Sequence, residues 1–130
     1  MLLHTSGLFC LVDRDEPEHN VAVSVYAGAG QRLIHNYILA EFVSLAQTRG
    51  LARSLALGFS EDVLTDQSLE VVWVDFQLHR LALELLQDRR DKSYSLCDAV
   101  SFVIMRERKI SEALTTDRHF AQEGFLRLLK

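Results

Sequence analysis

Proline and cysteine are scarce in this 130-residue chain, with one of the first and two of the second. Cys10 and Cys97 lie far apart, each among apolar neighbours. That placement predicts buried reduced thiols rather than a disulfide framework. No cysteine or histidine pair has the spacing of a structural zinc site. A strong charge of either sign is also missing. The formal net charge is −4, which excludes polyanion binding by bulk charge. Long apolar runs are absent as well. Residues 1–12 are apolar but short, lack a basic leader, and are broken by His4, Thr5 and Ser6. They read as neither a signal peptide nor a membrane span, so a cytoplasmic location is expected. There is no repeat, linker or low-complexity stretch. A composition 48% hydrophobic and 25% charged is ordinary for a globular chain. One domain over residues 1–130, with one core, is the expectation.

The charge present is unevenly spread. Residues 1–79 carry four Lys/Arg against ten Asp/Glu, and residues 80–130 carry ten against eight. The basic excess includes Arg89, Arg90, Lys92, Arg106, Arg108, Lys109 and Arg118. A phosphate backbone would be met from that side, unless the charges simply form a solvated mixed surface.

Short apolar runs alternate with helical patterns. Strands are predicted at 2–4, 33–35, 71–74, 113–116 and 125–128. They are continuous rather than alternating, which suits a parallel sheet covered on both faces. Helices are predicted from Pro17 to Tyr26, ended by Gly28 and Gly30, and over 37–48, 76–90 and 96–105. In 76–90 the apolar stripe is Leu78, Leu81, Ala82, Leu85 and Leu86. In 96–105 apolar residues run almost all round, which predicts a central helix. Strands alternating with helices define an α/β layered fold.

Three acids sit where a core is expected. Glu41 has Tyr37 and Leu45 as its helical neighbours, so its carboxylate lies on an apolar stripe, where an unpaired charge is costly. Asp98 has Tyr94 and Phe102 in the same relation. Ser95 and Asp98 together also fit a capping box. Asp117 follows a predicted strand, where open α/β sheets bind ligands; it is equally a candidate N-cap for 118–122. His4 occupies the matching place on the first strand. Separately each has a structural explanation: a buried ion pair, a cap or a satisfied histidine. Together they form a carboxylate cluster, which repels itself unless a cation joins it. Hard oxygen donors favour Mg²⁺ or Mn²⁺.

These segments resemble the motifs of the PIN-domain ribonucleases, most nearly the VapC-type toxins of bacterial toxin–antitoxin pairs. The opening strand with Thr5-Ser6-Gly7-Leu8 is similar to the family's first motif, and Tyr37-Ile38-Leu39-Ala40-Glu41 to the helix carrying the second acid. Residues Tyr94 to Phe102 resemble the third motif. Ala113 to Phe120 resemble the fourth, the most specific of the set. The resemblance covers nearly the whole chain. It implies a three-layer α/β/α sandwich with a central parallel sheet. It implies Mg²⁺- or Mn²⁺-dependent endonucleolytic cleavage of RNA, a homodimer, and a cognate protein antitoxin that covers or disrupts the site. Glu41, Asp98 and Asp117 correspond to three of the family's four acids, as catalytic and metal-binding groups. Thr116 and Ser95 would support them. Arg118, and less directly Arg89 or Arg90, would meet the RNA backbone. Asp91 lies two helical turns before Asp98 and would align with it if that helix extended back.

His4 departs from the pattern, because the family has aspartate there. Either imidazole serves as a ligand, favouring Mn²⁺ or Zn²⁺ over Mg²⁺, or the site is silenced, by nature or by design. A silenced site leaves a non-catalytic module that binds RNA or protein. A phospho-accepting receiver domain is also α/β and acidic, but it needs an acidic pair where this chain has His4. His19, His35 and His79 show no partner spacing. No histidine is placed to activate Cys97 as a nucleophile.

Overall fold

A computed structural model describes residues 1–130. Its framework is a five-stranded, all-parallel sheet in the order β3-β2-β1-β4-β5. The strands are β1 (Leu2–Leu3), β2 (Leu33–His35), β3 (Glu70–Val72), β4 (Glu112–Leu114) and β5 (Leu126–Arg127). The helices are α1 (Thr5–Val12), α2 (His19–Gly28), α3 (Asn36–Ala46), α4 (Arg53–Thr65), α5 (Phe76–Asp88), α6 (Leu96–Arg108) and α7 (Arg118–Gln122). Helices cover both faces of the sheet, which gives the three-layer α/β/α sandwich. Parallel strands have no short reverse turn available, so a helix or longer crossover joins each to the next.

The inner strands show no alternation because both faces of the sheet are covered. Leu2, Leu3, Leu33, Ile34, Ala113 and Leu114 are all fully buried, as expected for a sheet shielded on both faces. They join Phe9, Phe42, Phe102 and Phe120 in one contiguous core of thirty buried residues. Helix α6 runs through this core, burying Cys97 to Phe102 without interruption. No helix is long and apolar enough to cross a membrane.

The chain crosses from β1 to β2 and β3 on one side, then returns to β4 and β5 on the other. The strand order therefore reverses between β1 and β4. Open α/β sheets bind ligands in the crevice outside the carboxyl ends of the strands at such a reversal.

Two helices differ from the sequence pattern, and one starts later. Helix α2 begins at His19, because residues 14–18 form turns and the His19 N–H bonds to the Glu16 carbonyl. Pro17 sits in that turn rather than in the first helical turn. Helix α1 was hidden in the apolar opening because it is packed on nearly every side, burying Thr5, Gly7, Leu8, Phe9 and Cys10. Helix α4 has no clean stripe. It buries Ala56 and Val63 while Leu55, Leu57 and Leu64 stay exposed. Asp91 lies before α6 in a turn, exposed, so it does not align with Asp98.

Candidate metal centre

Strand pairing brings the site together. Leu3 pairs with Leu114 across β1 and β4, so the next residues, His4 and Thr115, emerge side by side. The His4 N–H donates to the Leu114 carbonyl at 3.2 Å, and His4 Nδ1 meets the Thr115 hydroxyl at 3.0 Å. Gly7 makes this approach possible. A Cβ there would lie 2.0 Å from the Leu114 carbonyl oxygen, so α1 can leave β1 directly beside β4 only with glycine at that position.

Helix α6 delivers Asp98 from the opposite side. The Asp98 N–H donates to Ser95 Oγ at 3.0 Å, and the Ser95 N–H donates to Asp98 Oδ2 at 3.1 Å. This is a complete capping box. The same carboxylate also faces the crevice. Its Oδ1 lies 3.2 Å from His4 Nε2, and its Oδ2 accepts from His119 Nδ1 at 2.9 Å. Asp117 is likewise both cap and site residue. It accepts from the His119 N–H at 2.9 Å and lies within reach of the His119 ring at 3.4 Å. Its own N–H donates to Thr115 Oγ1 at 3.0 Å.

The electrostatics favour a charged Asp98. Burial works to raise its pKa, but close contact with His4, the Ser95 N–H and the His119 ring outweigh burial and hold the carboxyl below its usual value. The start of α6 adds favourable dipole. Cys97 behaves in the opposite way. Burial, then Glu41 and Asp98, push its thiol up strongly, against a smaller lowering by Thr5. A thiol held protonated in this way is not a free nucleophile.

His4, Asp98 and Asp117 each present a donor atom within 4.8 Å of the others. Glu41 joins from α3, with a carboxylate oxygen within the same distance of a His4 nitrogen and of Cys97 Sγ. It is half-buried rather than core-facing. Its helical neighbour Leu45 is exposed, so the apolar stripe read from the sequence is the rim of the crevice.

The residues fit a cation. His4 is 4% exposed, and its Nε2 atom is buried with no aligned hydrogen-bond partner, aimed at the acids. With Nδ1 occupied by Thr115, Nε2 is free to act as a ligand. His4, Asp98 and Asp117 would hold the ion, while Glu41 groups with His4 and Cys97.

Other groups serve the scaffold. Ser95 touches Asp98 through the cap. The hydroxyl that supports the site belongs to Thr115 rather than Thr116. Thr116 instead donates its N–H to Ser6 Oγ and accepts from Arg127 through its carbonyl. Arg89 is committed to Glu123 at 3.0 and 3.2 Å, and Arg106 pairs with the same carboxylate. Neither is available to RNA. Arg118 is exposed beside Asp117 and carries no ion pair, as does Arg90. His35 caps α3 and bonds Ser101 at 2.8 Å, while His79 and His19 bond Tyr37 and the Cys10 carbonyl. His119 was missed as a site residue. Its signal was position alone, two residues past Asp117 in the first turn of α7.

A parallel α/β fold with acids and an imidazole at its strand reversal defines a class of metal-dependent hydrolytic sites. The chain belongs to the PIN-domain family, whose profile matches residues 1–126. Its structure is similar to the crystal structure of VapC20 from Mycobacterium tuberculosis, a toxin that cleaves the sarcin–ricin loop. The TM-score is 0.90 at 25% sequence identity, over 99% of this chain and 98% of that one. No curated protein sequence matches.

Proposed function

We propose that this chain is the toxin of a type II toxin–antitoxin pair and cuts RNA as a Mg²⁺- or Mn²⁺-dependent endoribonuclease. The observation that carries the reading is the convergence of His4, Asp98 and Asp117 at the strand reversal of a PIN domain. The ion, when bound, lowers the pKa of water and offsets phosphate charge. Asp98 and Asp117 would hold it, fixed by the caps that also shape α6 and α7. Glu41, beside His4, would orient the attacking water. His119 braces both aspartates. Arg118 meets the RNA backbone near the scissile phosphate. The likeness to VapC20 supports a structured RNA loop as substrate, met in the cytosol.

A homodimer and a protein antitoxin complete the proposal. Their support is the exposed apolar surface of α3, α4 and the loop after β3. There Leu57, Leu64 and Trp73 line a groove with Leu39, Ala40 and Val43.

The second reading is a binding module that no longer cuts, and the observation favouring it is His4 itself. The test is RNA cleavage by this chain and by His4→Asp, in Mg²⁺ and in Mn²⁺, with Asp98→Asn as control. Cleavage by the parent and not by the control supports histidine as a ligand. Cleavage by His4→Asp alone supports a silenced nuclease. If neither cuts, the enzyme reading is lost.

A further inference from the structure

We propose that His4, Cys97 and Glu41 form a binding site for a borderline-soft divalent cation of the zinc class, which competes with the hard-ion site for the His4 imidazole. A His4 nitrogen, the Cys97 sulfur and a Glu41 oxygen lie within 4.8 Å of one another. Thiolate, imidazole and carboxylate at such separations make a zinc-type donor set, not a magnesium-type one. The second, independent observation is His4 Nε2, which makes no aligned hydrogen bond although Asp98 Oδ1 lies 3.2 Å away, in a residue 96% shielded from solvent. Its Nδ1 is tied to Thr115, so a single nitrogen is left to serve either position. The Thr5 hydroxyl is buried too, with no aligned hydrogen bond, and the Cys97 thiol is the group it approaches.

The chemistry balances without a co-reactant. The Cys97 S–H bond breaks as the S–metal bond forms, and the proton goes to solvent. A water can take the fourth position. An ion held there removes His4 from the set that includes Asp98 and Asp117. Zinc-class ions would therefore act as a brake on the ribonuclease proposed above, and only that regulatory consequence rests on the ribonuclease reading.

The experiment loads the metal-free full chain with Co²⁺, then displaces it with Zn²⁺. A thiolate-to-cobalt charge-transfer band in the near ultraviolet, with intense tetrahedral bands in the visible, is expected. Cys97→Ser and Cys97→Val should lose the band and weaken Zn²⁺ binding by about 10- to 100-fold, the range that even an outer-shell loss costs a metal site. Circular dichroism reports whether each variant folds. No thiolate band in the parent, or unchanged Zn²⁺ affinity in a folded Cys97 variant, overturns the site. The parent band decides alone if neither variant folds. RNA cleavage by the parent in Mn²⁺, with and without Zn²⁺, is read separately. A band without cleavage leaves the zinc site standing and sinks the ribonuclease reading. Cleavage without a band does the reverse, and cleavage untouched by bound Zn²⁺ overturns the brake.

Discussion

His35 shows how far one side chain can tie stability to pH. It is fully buried, and burial, with a smaller push from His4, lowers its pKa to about 3. Nδ1 accepts from the Ile38 N–H, so the proton sits on Nε2 and is donated to Ser101, which donates to the Cys97 carbonyl. A protonated ring would break that chain. The unfolded state takes up a proton near the ordinary histidine value of about 6.5 while the folded state refuses it. Stability is therefore full above about pH 6.5 and falls as pH drops from there toward 3, by about 1.4 kcal/mol per unit at most. Urea unfolding at a series of pH values should show this slope, and His35→Asn should flatten it. Asp98→Asn tests a different property of a single residue. The amide oxygen can still accept the Ser95 N–H, so the fold should persist by circular dichroism while RNA cleavage is lost.

At the scale of elements, the approach of α1 to β4 rests on Gly7. Gly7→Ala should destabilise the protein by about 1–3 kcal/mol, the usual cost of overpacking, and more if the backbone cannot shift. Thermal melts would measure it, and an unchanged melting temperature would show that α1 can move. Ser95→Ala removes one half of the capping box and should cost about 1 kcal/mol. It should also slow cleavage, because the same hydroxyl fixes the Asp98 backbone. Elements were legible in the sequence where burial followed a single period. Helix α5 has such a pattern, and the three inner strands stand out as short apolar runs buried almost throughout. Helix α1, packed on nearly every side, and helix α4, with leucines pointing into solvent, do not. The acids were legible because charge is conspicuous on an apolar stripe. Thr115 and His119 were not, since neither breaks a pattern. The meeting of His4 with Cys97 spans more than ninety positions and exists only through the pairing of β1 with β4 and the docking of α6.

Across the whole molecule, four of the seven cations that make up the basic cluster of the sequence (Arg89, Arg90, Lys92, Arg106, Arg108, Lys109 and Arg118) are in ion pairs. Arg89 and Arg106 hold Glu123, whose carboxyl burial would raise but whose partners Arg89, Arg106 and Tyr94 hold low. Arg108 pairs with Glu70, and Lys92 lies 3.7 Å from Asp91. Of those seven, Arg90, Lys109 and Arg118 carry no ion pair. RNA affinity should then depend weakly on salt. Three phosphate contacts on a single strand give a log–log slope of about −2, and Arg118→Ala should reduce its magnitude by about 0.7. Filter binding across a salt series checks both. A much steeper slope would mean that a partner copy supplies further charge. Recognition would then rest on shape and on the site more than on attraction.

The two aspartates that face the crevice also begin their helices, whereas His4 precedes α1 without making any side-chain cap. Chemistry and architecture are written in the same atoms at 98 and 117, and in separate ones at 4. A lineage under pressure to tame a self-poisoning enzyme would find few places to change it cheaply. Replacing either aspartate by a side chain with no acceptor oxygen frays a helix, whereas His4 caps nothing with its side chain. Changes at 4, and at Glu41 within α3, can therefore remove a donor from the site while the caps of α6 and α7 stay in place.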